Sequence, residues 1–201
     1  MNRKVGGPSP TTKTFRMNRA VFLDRDGVIN QVILKVGKPY PPATLTDLVV
    51  LPGVEEALHR LRANGFCLIV VTNQPDVARG TQTRQRVQEI NAWLQARLPI
   101  DEFCVCYHDD KDDCNCRKPK PGLLLDAAED RGLDLKASFM VGDRWRDIEA
   151  GRSAGCRTVF IDLGYSERQP ENPDVRVKSL AEAADWIIQK VGQASCASCL
   201  S

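Results

Sequence analysis

Short apolar runs of strand length alternate along this chain with longer stretches in which apolar residues recur every three or four positions. Val21–Leu23 is the first run. Val54, Ala57, Leu58 and Leu61 then fall at helical spacing behind Pro52-Gly53, and Asn64-Gly65 closes that helix. Phe66–Val71 is apolar at every position, as a strand covered on both faces must be. Arg84–Leu98 predicts a helix with Val87, Ile90 and Leu94 on one side and Pro99 as its stop. Phe103–Tyr107 is a third strand, Gly122–Arg131 a helix closed by Gly132, and Ser138–Val141 a fourth strand. Arg146–Ala154 is helical, Thr158–Ile161 is a fifth strand, and Leu180–Val191 is a last helix presenting Ala184, Ile187, Ile188 and Val191. Strands alternating with helices predict an α/β fold, a parallel sheet with helices on both faces. No repeat and no interdomain linker interrupts the pattern. One domain is expected over residues 19–192, with disordered tails at 1–18 and 193–201. Gly37–Pro42 reads as a stiff loop after the first strand.

Composition narrows the class. With 201 residues, 42% hydrophobic and 27% charged, the chain has the make-up of an ordinary globular protein with one sizeable core. A formal charge of +2 with dispersed lysines and arginines gives no case for nucleic acid as a partner. No apolar run approaches a membrane span, and the N-terminus has no apolar core of a secretory signal. Localisation in the cytoplasm, as a monomer, is the expectation.

The polar residues at the strand ends carry the chemistry. The first strand runs into Asp24-Arg25-Asp26-Gly27, and the second ends in Thr72-Asn73-Gln74. Arg117-Lys118-Pro119 follows the third, and the fourth ends in Gly142-Asp143 with Asp147 four residues on. Singly, each has an ordinary explanation as a turn, a strand cap, a solvated charge or a helix N-terminus. In a parallel sheet, however, these ends share one edge, where open α/β folds place their ligands. The set then holds carboxylates, a lysine, a hydroxyl and exposed amides, which suit a divalent oxygen-seeking cation and a phosphoryl group; Mg²⁺ fits best.

The eight cysteines form a second pattern. Cys67 and Cys156 lie in or beside apolar segments as small core residues, and the Cys196/Cys199 pair in a Ser/Ala-rich tail is taken as incidental. Cys106, His108, Cys114 and Cys116 together make three thiolates and one imidazole, the donor set of structural Zn²⁺. Cys104 is expected on the opposite face of its strand from Cys106 and is left out. Since Cys116 directly precedes Arg117-Lys118, a metal there would stiffen the loop that delivers those cations.

From Ala20 to Leu163 the chain resembles the haloacid dehalogenase-like phosphohydrolases. The motifs that carry the likeness are Phe-Leu-Asp24-Arg-Asp26-Gly, Val-Thr72-Asn73-Gln, Arg117-Lys118-Pro and Val-Gly-Asp143-Arg-Trp-Arg-Asp147. The resemblance implies a doubly wound sheet. It makes Asp24 the nucleophile that forms an aspartyl-phosphate, and Asp26 the general acid and then base. It also implies Mg²⁺ held by Asp24, the carbonyl of Asp26 and Asp143, with Asp147 behind them, and phosphate bound by Thr72, Asn73 and Lys118. The short stretches between motifs leave no room for a separate cap domain. With the zinc loop, the motifs are similar to two families, the D-glycero-D-manno-heptose-1,7-bisphosphate 7-phosphatases and the histidinol-phosphate phosphatases. The residues around Lys118 and Asp143 favour the former, a sugar bisphosphate substrate and a substrate contact for Arg117. The five-residue gap between His108 and Cys114 leans to the latter, and Gln31–Pro42 departs from both. A zinc-stabilised binding module without activity is the reading from another class, disfavoured because Asp24, Asp26, Lys118 and Asp143 are all present.

Overall fold

A computed structural model describes residues 18–35 and 37–197. In chain order its elements are β1 (Ala20–Leu23), β2 (Ile33–Lys35), β3 (Lys38–Tyr40), α1 (Val54–Ala63), β4 (Cys67–Asn73), α2 (Arg84–Gln95) and β5 (Glu102–Cys106). Then follow α3 (Gly122–Arg131), β6 (Phe139–Gly142), α4 (Trp145–Ala154), β7 (Arg157–Ile161), β8 (Val175–Val177) and α5 (Leu180–Ala197). Every strand and helix expected from the periodicity is there.

Six strands form one parallel sheet in the order β5-β4-β1-β6-β7-β8. The chain starts at the centre, winds outward one way through β4 and β5, and then the other way through β6, β7 and β8. This is the doubly wound plan, and its reversal puts the carboxyl ends of β4, β1 and β6 side by side. Period-two alternation sorts the side chains of each strand between two cores. Val21, Leu23, Leu68, Val70 and Val141 pack under α1, α2 and α5, while Phe22, Ile69, Val71 and Met140 pack under α3 and α4. Cys67 and Cys156 are buried core residues, as expected.

Three features differ from the sequence reading. The segment after β1 is a two-stranded antiparallel hairpin, β2–β3, instead of a loop, because Ile33 pairs with Tyr40 across a tight turn. A sixth strand, β8, extends the sheet; three residues amid charge are too few to show a period. The last helix runs on to Ala197, past the expected boundary at 192. Among the described residues only the hairpin and a short 3₁₀ turn at Leu45–Asp47 stand between β1 and α1, so no separate cap domain covers the sheet edge. Of the expected tails, residues 1–17 and 198–201, with Cys199, lie outside the described residues.

Candidate active site and metal centres

Asp24 is the first residue beyond β1, at the crevice between β4 and β6. Its Oδ1 accepts from its neighbour's amide, Arg25 N, at 2.7 Å and lies 3.0 Å from Lys118 Nζ. Lys118, 1% exposed, also sits 2.7 Å from Asp147 Oδ1 and donates to the Val71 carbonyl at 2.7 Å. An ammonium has three protons, and here each has an acceptor. Burial alone would lower the Lys118 pKa, but Asp147 and then Asp24 outweigh it and hold the group above its ordinary value. Asn73 places this lysine: its amide nitrogen donates to the Lys118 carbonyl at 2.9 Å, and its amide oxygen accepts from Lys118 N at 3.1 Å. The Asn73 side chain expected at the phosphate is thus engaged at both ends with the Lys118 backbone.

Asp143 follows β6, and both its carboxylate oxygens are buried without a hydrogen-bond partner. Oxygens of Asp24, Asp143 and Asp147 all lie within 4.8 Å of one another. Asp147 is occupied on both sides, by Lys118 on Oδ1 and by the amide of Arg144 on Oδ2 at 3.0 Å, which caps α4. Three buried carboxylates against one ammonium leave negative charge unanswered, which disfavours the charged forms of Asp24 and Asp143. Burial pushes the Asp24 carboxyl up to about 6 against the pull of Lys118. Burial and the Asp24 charge push Asp143 well above the usual carboxylate range. Bare buried oxygens on Asp143 beside Asp24 are the donor set of a hard divalent cation, and Mg²⁺ fits them. Gly27 makes the approach possible. It has φ +90°, and a β-carbon there would lie 1.9 Å from Asp143 Oδ2.

Asp26 is fixed by Arg25 and Asn30, to which the sequence reading gave no role, and by Gln74, which it placed in the strand-end cluster facing the phosphate. Arg25, fully buried, reaches its two oxygens at 3.2 and 3.0 Å, and its other arm donates to Asn91 Oδ1 on α2 at 2.9 Å. Asn30 Nδ2 and Gln74 Nε2 donate to Asp26 at 2.9 and 2.8 Å. Gln74 also donates to Thr72 Oγ1 at 3.0 Å, which leaves the threonine proton free to donate in turn. The only signal for Arg25 was its place between two aspartates. Asn91 carries none, since its role comes from α2 lying against β1.

Asp24, Asp26, Thr72, Lys118, Asp143 and Asp147 line one cavity of about 320 Å³. Arg117 and Arg146 stand on its wall and share one acceptor, Asp110 Oδ1, at 2.8 and 3.2 Å. Pro39 and Tyr40 of the hairpin, with Val32 just before it, also line the cavity.

The Cys/His cluster assembles as expected. Cys116 Sγ lies 3.2 Å from Cys106 Sγ, 3.4 Å from Cys114 Sγ and 3.3 Å from His108 Nδ1, and Cys106 Sγ lies 3.7 Å from Cys114 Sγ and 3.6 Å from His108 Nδ1. With metal–sulfur bonds of ~2.3 Å a tetrahedron has S···S edges of ~3.8 Å, so the donors sit near the corners of such a site, slightly closed in. Burial, and then the neighbouring Cys116, push the Cys106 thiol up, so it holds its proton unless a cation displaces it. The expectation for Cys104 needs correcting. Residues two apart on a strand share a face, and Cys104 and Cys106 contact the same core layer. Cys104 stays out of the cluster because it sits two positions further back along β5. The loop abuts α3, where a β-carbon on Gly122 would lie 2.3 Å from the Asn115 carbonyl oxygen.

A doubly wound sheet with a lysine-bridged carboxylate trio at its switch point defines the haloacid dehalogenase-like class, and residues 115–183 match the family described as HAD-hydrolase-like. The chain is 32% identical over 176 residues to the D-glycero-beta-D-manno-heptose-1,7-bisphosphate 7-phosphatase of Helicobacter pylori, covering 85% of this chain and 97% of that one. The enzyme of the same name from Photorhabdus laumondii is 37% identical over 185 residues, covering 86% and 90%. Among solved structures, the D,D-heptose 1.7-bisphosphate phosphatase from B. bronchiseptica, complexed with magnesium and phosphate, matches with a TM-score of 0.73 at 30% identity, covering 86% of this chain and 99% of that one. The chain belongs to the haloacid dehalogenase-like phosphatases, in the family that contains these heptose-bisphosphate enzymes.

Proposed function

We propose that this protein is a Mg²⁺-dependent phosphomonoesterase that removes the 7-phosphate of D-glycero-β-D-manno-heptose 1,7-bisphosphate through an aspartyl-phosphate on Asp24. The observation that carries the reaction is Lys118, held between Asp24 and Asp147 beside the bare carboxylate of Asp143. Mg²⁺, held by Asp24, Asp143 and the backbone carbonyl of Asp26, would neutralise the phosphoryl oxygens and hold them in line. The other Asp24 oxygen attacks phosphorus as the bond to the sugar oxygen breaks. Asp26, oriented by Arg25, Asn30 and Gln74, delivers the proton to that leaving alkoxide. It then takes a proton from the water that cleaves the aspartyl-phosphate, so that inorganic phosphate leaves and Asp24 is regenerated. Lys118 offsets charge on the transferring group, and the Thr72 hydroxyl donates to it. A fixed array of this kind is what so slow a reaction as monoester hydrolysis requires.

The substrate rests on the named relatives and on Arg117 and Arg146. Two guanidinium groups lining the same cavity suit a second phosphate, which L-histidinol phosphate lacks. The Cys106/His108/Cys114/Cys116 site holds structural Zn²⁺ and positions the Arg117-Lys118 loop. Thiolate ligation fits a reducing compartment, the cytoplasm. No helix among the described residues is long and apolar enough to cross a membrane.

The test compares kcat/KM for the heptose bisphosphate, in both anomers, with that for L-histidinol phosphate. A preference of at least about a hundredfold, worth ~2.7 kcal/mol, is expected for the bisphosphate, with Arg146→Gln raising its KM several-fold and sparing small monoesters. Preference for histidinol phosphate would transfer the enzyme to that reaction. Mg²⁺-dependent turnover surviving in Asp24→Asn would overturn the covalent mechanism, and no turnover of any ester would favour the binding module.

A further inference from the structure

The loop between β7 and β8 is fastened to α4 at several points. Arg144 pairs with Glu167 through two guanidinium nitrogens, Arg168 lies 4.5 Å over the Trp145 ring, and Arg152 donates to the Glu171 carbonyl. Gly164, at φ +73°, turns the chain just before Tyr165, and its amide is held by Asp162 Oδ1 at 3.0 Å. These ties aim the Tyr165 ring inward, where it lines the apolar side of the hairpin with Leu51 and Leu163. Its hydroxyl ends in the carboxylate site. A β-carbon on Gly27 would lie 1.9 Å from Asp143 Oδ2 and 3.2 Å from Tyr165 Oη, so the two oxygens flank one glycine. Tyr165 Oη is buried without a hydrogen-bond partner, and so are both oxygens of Asp143. A buried phenol hydroxyl left unpaired costs on the order of 1–3 kcal/mol, and a phenol at neutral pH is a donor.

We propose that Tyr165 is a positioning residue for the cation site: its hydroxyl donates to Asp143 on the Oδ2 side, directly or through one water, and so presents Oδ1 to the metal. The arrangement explains two orphaned groups at once. With Oδ2 held, the carboxylate cannot rotate away from the cation, and ligand-orienting partners of this kind typically change metal affinity 10–100-fold. Tyr165 touches no substrate and takes no part in bond making. This role rests on the Mg²⁺ reading of the site but not on which ester is hydrolysed.

The test is Mg²⁺ binding by calorimetry to the full chain with zinc in place, for the wild type and Tyr165→Phe. The Phe variant keeps the ring and its packing, so its melting temperature without Mg²⁺ should match or exceed the wild type's. Its Mg²⁺ Kd should rise about tenfold or more. Its kcat at saturating Mg²⁺ and its substrate KM should stay within about threefold of wild type. Equal Mg²⁺ affinity in the two proteins would overturn the proposal, as would a wild type that binds no Mg²⁺. Wild type that binds Mg²⁺ but does not hydrolyse the heptose bisphosphate would overturn the substrate reading and leave the role of Tyr165 to be decided by the two Kd values.

Discussion

The Cys/His cluster draws its four donors from the eleven residues Cys106 to Cys116, whereas the carboxylate cluster collects Asp24, Asp143 and Asp147 from the ends of β1 and β6 and the first turn of α4. The first is a local loop that folds around its own centre. The second exists only because a parallel sheet sets distant strand ends side by side. Their energetics differ in the same sense. Zinc ligation would close a loop and displace protons from thiols, so it adds to the stability of the fold. The carboxylate site burdens the fold with buried like charge, which Lys118 offsets in part and a bound cation would offset further. On the proposed reading, one cluster serves structure and the other is a cost carried for chemistry.

The strongest way to break this contrast is at Lys118. Lys118→Met removes the one cation that, among the described residues, pairs with both Asp24 and Asp147. Phosphatase activity should fall by roughly 10³-fold or more, as for loss of a main electrostatic contact to the transition state. Removing one partner from a buried ion network costs about 3–5 kcal/mol, so denaturant unfolding at pH 8 should show a loss of that order. An unchanged midpoint would mean the carboxylates are not charged in the resting protein.

Next in size is removal of zinc, by a zinc-selective chelator or by Cys116→Ser. Tm should fall by ~5–10 °C, a few kcal/mol for a chain of this size. Activity should fall about tenfold through Arg117 and Lys118, with the Mg²⁺ dependence unchanged. A loss of activity with Tm intact would move this centre from structure to chemistry.

The smallest effect is on pH. Folding raises the Asp24 carboxyl from 3.8 to about 6, and Asp143 moves the same way. Between these values the folded protein binds more protons than the unfolded chain, so its stability declines as pH rises through that window. In Mg²⁺-free buffer with zinc retained, Tm should fall between pH 4 and pH 6.5. Asp24→Asn should flatten the slope, and Mg²⁺ should restore stability at the upper end. A Tm rising through this window in the wild type would contradict the buried-charge account.

Most of both sites was legible in the chain. Asp24, Thr72 and Asp143 stand where an apolar run turns polar, which marks the carboxyl end of a buried strand. Cys106, His108, Cys114 and Cys116 were legible because a local site writes its spacing into the sequence. What escaped depends on approach between elements. Arg25 and Asn30 hold Asp26, Asn91 holds Arg25 in turn, and no sequence period connects them. Tyr165 lies in a polar loop, and only its return over Gly27 brings it near Asp143. Cys104 was assigned to the wrong face by a slip in the strand's period of two, and the structure put it beside Cys106.

The sequence by itself determined the alternation of strands and helices, the residues offered for phosphoryl chemistry, and the Cys/His donor set. These follow from periodicity and from residue type, which are local properties. Only the tertiary structure decided the strand order, the six-stranded extent of the sheet, and the hairpin wall of the cavity. It also decided that Asn73 holds Lys118, that Arg117 and Arg146 share Asp110, and that Asp143 lies bare beside Tyr165. Each of these is a distance between groups on different elements, set by how layers pack and where the sheet reverses, and no stretch of the chain carries that information alone.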